Sequence, residues 1–429
     1  MPLHERRKIS DCGAFIDCVT TDKFRFASFS LSFFLGDLSF SQRQALYALS
    51  RMMENGSREY PTLVSLDIAL SMLYDAEISF TFTETESGVL FHAEADFANT
   101  PTLGEDLLCR ILTHVKDTIL FPFPEDDGGE ALLQRMKEEI RGDCAVLASD
   151  PDSYSYSAYK DAVYSSSASR LTEEGIKRIY GDVSLSDVRK IHETVANAPL
   201  VYAFYIGRDS ADRVSDEICS RFEKRSSVSV TPLSPRRADG SDTFTGEQTG
   251  SSTRLYLGFS YGCSDLHASL LALYLGGIPT SRLYTVLREE NRYCYSVYAE
   301  RPTIGLLTLC AAVEPRAEKR SREIMLSALD EVKRGEVDGE LLSAVKQAAL
   351  VSAKYIYESR RTCERFFFTS FVKRAEPDNE VRMRMIEEFD AQALKNAAES
   401  VRLCAEYVLP ALPRRMRGLR DGSGEEAEN

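Results

Sequence analysis

At 429 residues and 48.1 kDa, the chain exceeds one ordinary core and calls for two or more domains of roughly 150 to 200 residues each. Hydrophobic residues make up 43%, charged residues 28% and the mean hydropathy is -0.25, a globular balance that excludes disordered and membrane classes. The net charge of -14 repels phosphate backbones, and no compact Lys/Arg patch offsets it, so nucleic acid is excluded as a partner.

The opening MPLHERRKISDCGAFIDC has basic residues but no apolar core segment, and no later stretch approaches the ~18 to 20 apolar residues needed to span a bilayer. A cytoplasmic location is expected. The ten cysteines have no CxxC pairs and read as reduced core residues. In the first half, a strand is predicted over 25–36 and a helix over 41–54, whose apolar positions recur at helical spacing. A second helix from Thr62 and a hairpin around Gly88 follow, then an amphipathic helix over 128–140. A polar-started helix leads into a terminal strand over 184–207.

Residues 224–252 are rich in Ser, Thr, Pro and Gly and have no apolar period, so they read as a linker. Beyond them the same order returns: a strand over 254–262, helices over 266–277 and from Ser281, and a hairpin near Gly305. A helix over 335–350 and a helix-to-strand unit over 390–410 complete it. One fold has been duplicated, giving an α+β class with two homologous domains of mainly antiparallel sheet and packed helices. The expected division is 1–223, linker 224–252, 253–415, and a disordered polar tail over 416–429.

Familiar chemistries fail one at a time. GFSYG (258–262) fits the nucleophile-elbow pattern around Ser260, but the only downstream histidine is His267, with Asp265 as the sole intervening acid. A triad cannot converge from so short a span. The other histidines, His4, His92, His114 and His192, include no pair at i, i+4, so no zinc helix can be assembled. GGIPTS (276–281) lacks the lysine and spacing of a phosphate loop and reads as a tight turn.

LGGIPTSRLYTVLREENRYCYSVYA (275–299) carries a Gly turn, Ser281-Arg282-Leu283, then Arg288 and Tyr295 seven apart in the context of Leu287 and Glu289. This segment resembles the signature of the pitrilysin/insulinase-like zinc metallopeptidases, the inverzincins. The resemblance implies two repeated α+β halves, and an H-x-x-E-H motif on the first helix of the first half. Aligning YALSRMMENGSREYP by Gly56 and the following Tyr-Pro puts Tyr47, Ser50 and Arg51 at those three positions. None suits the role: an arginine repels a dication and a serine cannot activate the water. Glu138 or Glu139 stands near the later carboxylate position.

The resemblance further implies a role like that of the Arg/Tyr-bearing, non-catalytic subunit of bacterial heterodimeric peptidases. No metal or other cofactor is then expected on this chain. A zinc-bearing homologous subunit, or a second copy in a homodimer, is the expected partner, and two such chains close like a clamshell on a peptide paired to a sheet edge. Arg288 would donate to a peptide carbonyl and Tyr295 to the developing oxyanion. The alternative is a structural scaffold homologue with no peptide role.

Overall fold

The computed structural model describes residues 3–411 other than 9–13, 86, 101–105, 124–127, 164–182, 223–229, 231–241, 246–250, 301–305 and 376. Among the described residues eleven strands form two sheets. They are β1 (Leu3–Lys8), β2 (Phe15–Thr20), β3 (Phe26–Gly36), β4 (Glu77–Thr85), β5 (Gly88–Ala98), β6 (Leu200–Gly207), β7 (Asp242–Thr245), β8 (Thr253–Ser260), β9 (Cys294–Glu300), β10 (Leu307–Val313) and β11 (Arg402–Leu409). The orders are β1-β2-β6-β3-β5-β4 and β7-β11-β8-β10-β9.

Apart from the extra edge strand β1, the two sheets share one topology. In each, a central strand pairs antiparallel with both neighbours. Among the described residues the one parallel pair sits at the same place in each, β2 with β6 and β7 with β11. The duplication expected from the order of elements is present strand for strand.

It also changes the reading of the linker: residues 242–245, inside the stretch 224–252, form β7 and pair with β11 as β2 pairs with β6. A four-residue strand with no alternating pattern of its own gives the sequence no local signal, because its pairing partner supplies the order. The tail over 416–429 and Gly305 lie outside the described residues.

The helices are α1 (Phe40–Met53), α2 (Leu63–Ser71), α3 (Leu107–Leu120), α4 (Gly128–Ser149), α5 (Pro151–Val163), α6 (Leu185–Ala196), α7 (Ala211–Cys219), α8 (Asp265–Ala272), α9 (Glu318–Arg334), α10 (Gly339–Lys354), α11 (Arg360–Val372), α12 (Asn379–Glu388) and α13 (Ala391–Glu399). Their starts follow local chemistry. Ser39, Thr62 and Ser184 each accept from the backbone N–H three residues on, and Gln42, Ser65 and Asp187 return the bond, completing capping boxes.

Two compact units result, but not the contiguous halves expected from a break at 224–252. One comprises residues 1–146, 173–233 and 356–377; the other comprises 147–172, 234–355 and 378–429. Each unit takes one helix from the other half of the sequence, α11 in the first and α5 in the second. Apolar helix faces decide this: Phe367 and Phe371 of α11 stack on Phe204 and Tyr202 of β6. Likewise Tyr159 of α5 stacks on Tyr256 of β8, and its hydroxyl bonds Thr308.

Eight described cysteines are free, and Cys18, Cys294, Cys310 and Cys363 are buried. Burial pushes the Cys18, Cys310 and Cys363 thiols up to about 12, as expected of inert core residues.

Candidate functional site

Helix α1 carries the three motif positions. Tyr47 is half-buried with its ring edge-on to Phe82 of β4, and Ser50 is 3% exposed with its hydroxyl donating to the Leu46 carbonyl at 3.0 Å. Back-bonding of that kind consumes the serine within its own helix. Arg51 reaches Glu54 at 3.5 Å and Asp143 of α4 at 3.4 Å. A permanent cation held by two carboxylates therefore stands where the resemblance would put the second imidazole. Glu138 and Glu139 are exposed, and Glu139 faces Arg135 at 3.7 Å.

Burial pushes the Glu54 carboxyl up, opposed by the backbone N–H of Phe80 and by the charge of Arg51. The donor set is a phenol, a hydroxyl already bonded and a guanidinium, which does not fit a zinc ion. Among the described residues one group has ligand-like spacing, Asp106, Cys109 and Glu217. It is already neutralised: Arg213 pairs with Asp106 at 2.6 Å, and Arg221 donates to Glu217 and to the Cys109 sulfur.

The second group stands in the other compact unit. After α8 the chain winds as a π-helix over Leu273–Gly277 and again over Tyr284–Glu290, where a regular helix was expected. Gly276 allows this packing: a Cβ there would lie 2.7 Å from the Ala299 backbone nitrogen of β9. Gly276→Ala is expected to displace β9 and destabilise the unit by about 1 to 3 kcal/mol, read by thermal unfolding; an unchanged melt would refute the tight approach.

Arg288 lies in the second π-helix, exposed, its guanidinium 5.0 Å from the Tyr284 ring centroid. Among the described residues no carboxylate lies within ion-pair distance of it, its neighbours Glu289 and Glu290 included. The span to Tyr295 is built closely. Asn291 donates to the Val286 carbonyl at 2.7 Å, Arg292 takes a left-handed φ of 53°, and the Tyr293 N–H donates to Leu287 at 2.9 Å. These bonds fix the seven-residue interval in space.

Tyr295 itself sits in a β-bulge: Ser296 pairs with Ala312 and Cys294 with Val313, so Tyr295 is the extra residue on edge strand β9. A bulge re-aims its side chain, and Tyr295 is 65% exposed. The sequence singles out Arg288 and Tyr295 but gives no local sign of the bulge.

The remaining sequence candidates have structural roles. Ser260 ends β8 and donates to the Arg402 carbonyl, Asp265 accepts from Tyr261 at 2.7 Å, and His267 packs its ring on Phe389. They form no triad.

Two α+β units of duplicated topology carry these two groups: Tyr47, Ser50 and Arg51 on α1 of one, and the exposed Arg288 and Tyr295 of the other. Residues 182–349 match the family model described as the Peptidase M16 inactive domain, so this part of the chain is similar to that domain. Arg288 and Tyr295 fall inside the matched segment; Tyr47, Ser50 and Arg51 fall outside it.

Many solved structures share the fold. A conserved protein from Enterococcus faecalis matches with a TM-score of 0.81 and 16% identity, covering 95% of this chain and 99% of that one. A protease from Helicobacter pylori matches at 0.74 and 13%, covering 96% and 100%, and a peptidase M16 inactive domain from Pseudomonas fluorescens at 0.73 and 14%, covering 96% and 98%. No curated protein matches the chain by sequence. Among the described residues no helix is long and apolar enough to cross a membrane.

Proposed function

We propose that this chain is the peptide-binding, non-catalytic subunit of a heterodimeric zinc peptidase. A homologous subunit brings the zinc. The observation that carries the reading is the contrast between the two groups. At α1, Ser50 and Arg51 are tied into internal bonds, whereas Arg288 and Tyr295 are held by a rigid turn and a bulge with their polar groups free to meet a ligand.

Edge strand β9 offers backbone groups to an extended peptide beside Tyr295. Arg288 supplies a permanent donor for a peptide carbonyl, and the Tyr295 phenol a donor for the oxygen that gains charge when the carbonyl is attacked. The electrophile and the activated water belong to the partner.

Co-purification from the native cell, with metal analysis of the separated chains, tests this. A homologous zinc-bearing partner is expected, with zinc on that partner and peptide hydrolysis only when both chains are mixed. Stoichiometric zinc on this chain, or hydrolysis by the partner alone at the full rate, would overturn the reading.

A further inference from the structure

The face of the first sheet beneath α11 is polar. Ser28, Ser30 and Ser32 of β3, Ser79, Thr81 and Thr83 of β4, and His92, Glu94 and Asp96 of β5 alternate onto it, while Phe29, Phe80, Phe82 and Phe91 take the other face. Tyr47 meets Phe82, so the motif helix lies on that other, apolar face. Between the polar face and α11 is a cavity of about 500 Å³, within the range of small-ligand sites. Four carboxylates line it, Glu77, Glu94, Asp96 and Glu364, against Arg361 and Arg365.

Asp96 has its own cation, Arg360 at 2.7 Å. Glu94 and Glu364 have hydrogen bonds from Thr81 and Ser30 but, among the described residues, no basic group within ion-pair distance. The equivalent face of the second sheet is a control within the same chain. There Cys310 of β10 stands between Tyr256 of β8 and Tyr298 of β9, and α5 adds Tyr159 on top. The row at the same strands in the first sheet is Ser32, His92 and Thr81. This architecture can be filled solidly with tyrosines, so small polar residues and a void are not demanded by the fold.

We infer that the cavity between α11 and β3, β4 and β5 binds an organic cation, its ammonium or guanidinium group held between Glu94 and Glu364. A divalent metal is the poorer fit, because no three ligand atoms in the cavity come close enough together. An anion is disfavoured by the excess of carboxylates. The cation can be a lysine or arginine side chain of a peptide, or a free polyamine; both present the same group. The site is independent of the Arg288/Tyr295 reading, since it lies in the other unit.

Glu364 faces Arg361 and Arg365 on its own helix and Glu77, His92, Glu94 and Asp96 across from it. Burial, then the charge of Glu94, pushes its carboxyl up to about 7. Below that pH the carboxyl takes up a proton, and cation binding weakens.

Isothermal titration calorimetry of the full chain at pH 8 with spermidine, with an acetyl-Ala-Lys-Ala amide peptide and with magnesium chloride tests the inference. Saturable binding of one or both organic cations is expected, weaker at pH 6. Glu94→Gln/Glu364→Gln is expected to lower affinity at least tenfold while retaining a cooperative melt, and Glu336→Gln, on an exposed turn, to leave it unchanged. Spermidine binding alone would identify a free polyamine as the ligand, and peptide binding alone a basic peptide. Absence of saturable binding by both, equal binding by the double variant, or magnesium binding in their place would overturn the assignment.

Discussion

Replacing Tyr295 by phenylalanine is expected to lower kcat of the mixed, zinc-bearing assembly by about 100-fold or more while leaving KM and complex size unchanged. That magnitude is the usual effect of removing one donor to a developing oxyanion. The hydroxyl is the sole group lost, and at 65% exposure in a bulge the side chain is not needed for packing, so the variant keeps the fold. Arg288→Ala acts on ground-state binding and is expected to raise KM instead. A Tyr295→Phe assembly with turnover within twofold of the parent would remove the proposed role and favour a scaffold function, in which assembly alone matters.

Asp17→Ala is expected to destabilise the first compact unit by about 3 to 5 kcal/mol, seen as a lower midpoint in thermal unfolding, and to raise hydrogen exchange in β1. Asp17 is fully buried and accepts from His4 at 3.0 Å, from Arg6 at 2.9 and 2.7 Å, and from the Tyr202 hydroxyl at 2.9 Å. Arg6 also donates to the Ala375 carbonyl at 2.9 Å, which ties edge strand β1 to the segment after α11. Removing the carboxylate takes from Arg6 its anionic partner and from the buried Tyr202 hydroxyl the acceptor it donates to.

The sign of the pH effect follows. Burial raises the Asp17 carboxyl, but the bonds from His4 and Arg6 outweigh it and hold the carboxyl below the usual 3.8. Its contribution is therefore present above that value and lost as pH falls through the depressed one. A change under 1 kcal/mol at pH 7 would contradict this account.

Much of the architecture was legible without coordinates because it depends on local chemistry. The run RFASFSLSFFLG alternates small polar with large apolar residues, and the helix after it begins at a capping box; both are short-range signals. The order of such elements, repeated either side of the middle, revealed the duplication. The residue types at Tyr47, Ser50 and Arg51 excluded zinc chemistry there, since ligand identity is a property of the side chain and not of its setting.

Tertiary structure decided what depends on partners distant in sequence. The polar stretch around β7 is a strand because β11 pairs with it, and α5 and α11 are exchanged between units because the sheets that accept their aromatic faces lie in the other half of the sequence. Tyr295 is turned outward by a bulge whose existence requires counting residues on β10. The cavity above Glu94 exists because small residues of β3 and of the β4–β5 hairpin fall on one face beneath α11, a helix from the far end of the chain. Composition and spacing fix which groups a chain can offer; only non-local pairing and packing fix which of them meet, because register and burial are set between segments and not within them.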